Sequence, residues 1–212
     1  MIIFMYDILC VTNRKLCKGD FLERIEQIAM QHPAGIILRE KDLSEQEYEK
    51  LAQQVLFICN KHQVPCILHN FPSAAFACEL ERIHLPLSLL RKMTSKEKAY
   101  FEEIGVSCHS LEDALEAQQL GATYLTAGHI FETDCKKGLP GRGLDFLTSV
   151  CKNVSIPVYG IGGITSANIA DIKSTGAKGA CIMSGLMQCD DVAAYFHHAS
   201  IAFLSKRGIL QI

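Results

Sequence analysis

An apolar run ends in a histidine and then a charged, glycine-bounded loop at Gly128-His129-Ile130-Phe131-Glu132-Thr133-Asp134-Cys135-Lys136-Lys137-Gly138. Imidazole titrates near neutral pH, and the small residues Thr126-Ala127-Gly128 let backbone and substrate approach closely, so His129 is the best acid/base candidate. The plainer reading, a histidine satisfied by hydrogen bonds within the fold, stands beside it. Thr133 and Lys136 are ligand candidates in the same loop. Cys135 is followed by Lys136 and Lys137, which would lower a thiol pKa, yet no partner histidine can be assigned to it, and an incidental thiol is the simpler reading.

Gly160-Ile161-Gly162-Gly163-Ile164-Thr165 and Ser184-Gly185 suggest a phosphate site, because a phosphate needs several backbone N–H groups at close range and glycine permits that approach. Such glycines also serve plain tight turns. Two segments after adjacent final strands favour the phosphate, with Gly162, Gly163, Ser184 and Gly185 holding it. Arg39 and Lys41, with Lys136, Lys137 and Arg142, could surround an anionic ligand; the alternative for each is a solvated surface. That alternative fits Lys137 better than Arg39, which directly ends an apolar strand where a guanidinium suits carboxylate or phosphate. Glu40 and Asp42 read as charges that neutralise neighbours. The spacing of His69, His84, His109 and His129 fits no ligand run, so no metal site is expected.

Strand and helix patterns alternate throughout, the sign of βα units around a parallel sheet. Strands are expected at Met5 to Val11, Gly35 to Leu38, Val64 to Leu68, Ile83 to Leu85, Ile104 to Cys108, Thr123 to Ala127, Ile156 to Ile161 and Ala180 to Met183. Between them, Asp20 caps a helix carrying Phe21, Leu22, Ile25, Ile28 and Ala29. Ser44-Glu45-Gln46-Glu47 has capping-box spacing before a helix through Cys59. Pro72 starts a short helix, Leu87 to Phe101 has the length of one helix, and Ser110 opens another with Leu111, Ala114 and Leu115 inward. Leu144 to Cys151, Thr165 to Ser174 and Val192 to Leu204 supply the rest. Gly121 and Gly176 sit where left-handed helix caps are needed. Eight strands favour one closed α/β (β/α)8 TIM barrel over an open doubly wound sheet, in a single domain over 1–212. In a barrel, polar groups at the strand ends, Asn13-Arg14, Arg39, Lys41, His69, His84, Ser107 and His129 among them, converge on one face.

The 212 residues carry a formal net charge of −2 and no run of five like charges, which argues against nucleic acid and for a small ligand. Met1 to Tyr6 is too short, and too lacking in basic residues, for a secretory or membrane segment, so a cytoplasmic protein without membrane partners is expected. The ten cysteines form no Cys-x-x-Cys pair and read as reduced core thiols. A homo-oligomer is compatible with the chain, since barrels often pair.

Leu38-Arg39-Glu40-Lys41-Asp42-Leu43, Val106-Ser107-Cys108-His109-Ser110, Gly128 to Lys136 and Ile161-Gly162-Gly163-Ile164-Thr165 together resemble the thiamine phosphate synthase superfamily, and within it the thiazole tautomerase (TenI) branch, over Val11 to Met187. The synthases read Gly-Pro-Ile-Phe-x-Thr-x-Thr-Lys where this chain has histidine for the proline. They also carry Asn-Asp-Arg after strand three and His-Leu-Gly-Gln-x-Asp after strand four, whose aspartates bind magnesium. Here those positions read His69-Asn70-Phe71 and His84-Leu85-Pro86-Leu87-Ser88, which leaves a magnesium ion without charged oxygen ligands. The resemblance therefore implies an isomerase that needs no cofactor. It would convert a carboxylated thiazole phosphate from its ylidene to its aromatic form, with His129 moving the proton and Arg39, Lys41, Ser107, Thr133 and Lys136 holding the phosphorylated thiazole substrate. The alternatives are a thiamine phosphate synthase, which is a transferase, and a regulatory binder of thiamine-related phosphates that turns nothing over.

Overall fold

A computed structural model describes residues 6–205; Met5, the expected first residue of the first strand, and most of the N-terminal apolar stretch lie outside the described residues. Eight parallel strands close into a barrel in sequence order: β1 (Tyr6–Val11), β2 (Pro33–Leu38), β3 (Cys66–His69), β4 (Arg82–Pro86), β5 (Glu103–Cys108), β6 (Tyr124–Gly128), β7 (Val158–Ile161) and β8 (Gly179–Ile182). Closure is made by Ile8, Leu9 and Cys10 beside Ala180, Cys181 and Ile182. The expected α/β (β/α)8 architecture is the one observed.

Helices α1 (Phe21–Ala29), α2 (Glu45–Lys61), α3 (Pro72–Ala77), α4 (Leu87–Leu90), α5 (Ser95–Tyr100), α6 (Leu111–Gln119), α7 (Gly143–Asn153), α8 (Ile169–Lys173), α9 (Ser184–Gln188) and α10 (Val192–Ser205) occupy the connections. The capping box at Ser44 and Glu47 is formed, and the Asp20 and Ser110 side chains accept from backbone N–H groups of α1 and α6. Three expectations change. Leu87 to Phe101 is two helices, because Thr94 and Glu97 form a capping box of their own and restart the chain at Ser95. The inner face of α6 is Ala114 and Ala117, with Leu115 only half-buried. The helix after β7 begins at Ile169 instead of Thr165, since Asn168 Oδ1 accepts from Thr165 N–H and holds residues 165–168 in a turn.

Strand parity sorts the side chains. Ile8, Cys10, Ile36, Leu38, Leu68, Ile83, Leu85, Val106, Leu125 and Ala127 point outward and fill the layer under the helices. Leu9, Val11, Ile37, Ile67, Tyr124 and Cys181 point inward and pack the barrel centre. The same parity carried to the carboxyl ends of the strands aims Arg39, His69, His84, Ser107, Thr126 and Met183 into the barrel mouth. Every hydrophobic layer below therefore serves to fix which polar groups meet above. Among the described residues no helix is long and apolar enough to cross a membrane.

Candidate active site at the carboxyl end of the barrel

A cavity of about 420 Å³ opens at this mouth, and Arg39, Lys41, Ser107, His129, Thr133, Lys136, Gly162 and Ser184 all line it. Eight of the residues singled out in the sequence thus share one space. Two of the four phosphate candidates do not line it: Gly163 faces an adjoining depression that shares Thr133, Lys136 and Ser184 with the cavity, and Gly185 lines neither.

Arg39 and Lys41 follow β2 directly, and Lys136 closes a short turn, Asp134–Lys136, in the loop after β6. Burial and the like charges of Arg39 and Lys136 hold the Lys41 ammonium below its ordinary pKa. The acids interleaved with these bases turn the other way. Glu40 is buried, accepting from Thr12 Oγ1 at 2.7 Å and Arg14 Nη1 at 3.0 Å, and Asp42 receives both Arg14 nitrogens, at 2.7 and 2.8 Å. Arg14 and Lys15 hold the Asp42 carboxyl well below the usual carboxylate range. Glu40 and Asp42 thus neutralise Arg14 and Lys15, and among the described residues no ion pair involves Arg39, Lys41 or Lys136. Arg14, expected with Asn13 at the mouth, is taken up by these two acids. The result is a cluster of three cations left for an anionic ligand.

His69 and His84 stand on β3 and β4, the strands that follow β2 around the barrel, stacked with ring centroids 5.7 Å apart. Both are buried, and burial first, then nearby positive charge, lowers their pKa values to about 2 and about 3. They are neutral imidazoles at every physiological pH. His84 Nδ1 lies 3.0 Å from Tyr124 Oη and its Nε2 2.9 Å from Ser107 Oγ, with Thr126 Oγ1 at 3.3 Å. Tyr124 reaches His84 across Gly105, where a Cβ would fall 2.1 Å from the tyrosine ring and 2.4 Å from His84 Nδ1. Both line the cavity, as their places at strand ends imply, but the sequence assigns them no ligand role beyond a metal site that their spacing does not fit.

The glycine turns have a steric reason. A Cβ on Gly162 would meet the Cβ of His129 at 2.4 Å, one on Gly163 the Glu132 carbonyl oxygen at 2.3 Å, and both residues adopt positive φ. Gly185 sits in α9, where a Cβ would meet Tyr195 Oη at 2.2 Å, so its glycine serves packing. Backbone at Gly162 and the Ser184 side chain remain on the cavity wall.

His129 is half-buried, with Nε2 3.3 Å from the Leu139 carbonyl oxygen, which ties the ring to its own loop. His109 lines the cavity too, its Nδ1 2.9 Å from Gly128 O. Arg142 lies over the Phe146 ring at 5.5 Å, outside the cavity, and Lys137 lines only the adjoining depression. The side chain of Cys135 lies outside the described ones.

Magnesium, which the resemblance attaches to synthase chemistry, does not fit this wall. The side chains at the ends of β3 and β4 are imidazoles, proline, leucine and serine, and among the described residues no group of three or more His, Cys, Asp or Glu could hold a metal ion.

Fold and site together define a parallel (β/α)8 barrel with a cationic cavity at the carboxyl ends of its strands. Residues 8–186 match the family described as Thiamine monophosphate synthase, and the chain belongs to that family. Thiamine-phosphate synthase 2 of Streptococcus pneumoniae is 36% identical over 202 residues, covering 92% of each chain. Thiamine-phosphate synthase of Clostridium tetani is 33% identical over 188 residues, covering 86% of this chain and 88% of the relative. A thiamine phosphate pyrophosphorylase from Pyrococcus furiosus shares the fold with a TM-score of 0.81 at 24% identity, covering 94% of this chain and 96% of that one. These relatives overturn the expectation of a thiazole tautomerase: their names are those of synthases, which are transferases and not isomerases. The proton shift that the isomerase reading gave to His129 goes with that reading; the ring itself lines the cavity, with Nε2 3.3 Å from the Leu139 carbonyl oxygen.

Proposed function

We propose that the chain is a thiamine-phosphate synthase that joins a phosphorylated thiazole to an aminopyrimidine methyl diphosphate. The thiazole nitrogen attacks the methylene carbon, a carbon–nitrogen bond forms, the carbon–oxygen bond to the diphosphate breaks, and its electron pair leaves with the diphosphate. The observation that carries this reading is the unneutralised cluster of Arg39, Lys41 and Lys136 on the cavity that also reaches Gly162 and Ser184. A diphosphate needs the larger positive charge, and charge developing on it as the bond breaks is stabilised by cations already in place. The single phosphate of the thiazole falls to the Gly162 turn and Ser184, on the β7 and β8 side of the same cavity, so the two substrates lie end to end with their reacting atoms between the anion sites. Ser107, Thr126 and Thr133 supply neutral hydrogen bonds between them. The nine free cysteines among the described residues support a reducing, cytosolic setting.

The test is an incubation of the purified chain with both substrates, following thiamine phosphate by chromatography and released diphosphate by an enzymatic assay. The two products are expected to appear together in equal amounts. Diphosphate release from the pyrimidine partner alone, with no coupled product, would contradict the reading.

A further inference from the structure

Among the polar side chains of the cavity, His69 has both ring nitrogens without a protein partner. The residue is 4% exposed, its backbone N–H donates to Tyr48 Oη at 2.7 Å, and its Nδ1 is sealed and unpartnered. Among the described residues no hydrogen bond involves its Nε2 either, and that atom is not sealed, so it opens on the cavity that His69 lines. Burying an unpaired polar group is costly, and a buried hydrogen-bonding atom facing a cavity marks a place where a ligand completes the pairing. The contrast with His84 is direct, since both of its nitrogens are engaged by Tyr124 and Ser107.

We propose that His69 is a specificity-determining residue that hydrogen-bonds, through Nε2, the aminopyrimidine ring of the diphosphate substrate. The proposal rests on the synthase reading above and names which ring faces β3. Arg39 and Lys41 end the strand next to His69, close enough for their charges to act on its imidazole. The anion held by these cations is the diphosphate, so the ring it carries is the one brought beside His69. An aminopyrimidine offers an exocyclic amine and ring nitrogens that need partners once they leave water for the cavity, whereas the thiazole nitrogen must stay free to attack. His84, pinned by Tyr124 and Ser107, lies stacked on the His69 ring with centroids 5.7 Å apart. A neutral imidazole beside three cations recognises a ring without drawing the diphosphate out of its own site.

The experiment measures calorimetric affinity for two probes, inorganic diphosphate and the aminopyrimidine methyl diphosphate, on wild type, His69→Leu, His69→Phe and His69→Gln. The leucine and phenylalanine variants are expected to weaken the ring-bearing probe by about tenfold or more and to leave inorganic diphosphate within about twofold. His69→Gln, which restores a side-chain donor and acceptor, is expected to recover most of the loss. His69→Phe keeps the stacked ring and removes only the nitrogens, so it carries the test should the leucine variant fail to fold. Equal weakening of both probes, or unchanged affinity for the ring-bearing probe, would overturn the assignment of His69 and leave the synthase reading standing. Wild-type protein that binds inorganic diphosphate but gains nothing from the ring would overturn both.

Discussion

A Cβ placed on Gly162 would lie 2.4 Å from the Cβ of His129, so the loop after β6 and the turn after β7 touch through a residue that has no side chain. Gly162 also holds φ at +98°. Gly162→Ala is therefore expected to cost about 2–4 kcal/mol in denaturant unfolding, from the steric clash and the left-handed backbone together. Gly121, at φ +97° with nothing within 4 Å of the place a Cβ would take, is the control. Its alanine variant should lose only about 1–2 kcal/mol. Equal losses would mean that the contact with His129 is not what demands a glycine.

Glu40 holds the end of β1 against the end of β2. It accepts from Thr12 Oγ1, and Thr12 Oγ1 in turn accepts from Arg39 N–H at 2.9 Å. Glu40→Ala should destabilise the protein by about 2–4 kcal/mol, because Arg14 loses a buried partner. The same change should raise KM for the diphosphate substrate, because the backbone under Arg39 loosens. A stability loss with KM unaltered would show that Glu40 does not position the cation.

The two neutral histidines make stability depend on pH with a definite sign. Their folded pKa values, about 2 and about 3, lie below the unfolded value near 6.5, so between these limits the unfolded chain binds protons that the folded chain does not. Stability is complete above pH ~6.5 and falls as pH drops below it, by about 1–2 kcal/mol per histidine at pH 5. Unfolding free energies at pH 7 and pH 5 should differ by about half as much in His84→Gln as in wild type. An unchanged difference would place the acid sensitivity elsewhere.

The donor set at the ends of β3 and β4 should give no saturable heat when magnesium is titrated into the ligand-free protein. A site of one ion per chain with micromolar affinity would show that carboxylates from elsewhere, such as Asp113 in the cavity lining, assemble there.

How much of this is legible in the sequence follows from what repeats locally. The barrel can be read because each strand is a short apolar run bounded by helical patterns and caps, and Ser44 with Glu47 announces α2 without help from the rest of the chain. Arg39 and Lys41 can be read as anion ligands from their place just past β2. The split at Thr94 is also written in the sequence, since Thr94 and Glu97 have capping-box spacing, but the length of the segment outweighs it. What cannot be read is long-range. Gly105 is needed only because Tyr124 crosses it to reach His84, and Glu40 is removed from the site only because Arg14, 26 residues earlier, takes it. The isomerase reading rests on the loop histidine and on the carboxylates missing after β3 and β4, and it is overturned by relatives, similar along most of the chain, whose names are those of synthases.

The central claim is that Arg39 and Lys41 hold the diphosphate of a synthase substrate, and the rate of thiamine phosphate formation by wild type and by the Arg39→Ala, Lys41→Ala double variant tests it most directly. Wild type should form thiamine phosphate from both substrates at a catalytic rate. The double variant, folded and with unchanged melting temperature, should lose about 100-fold or more in kcat/KM for the diphosphate substrate. Absence of product from wild type, or a double variant that works as well as wild type, would contradict it.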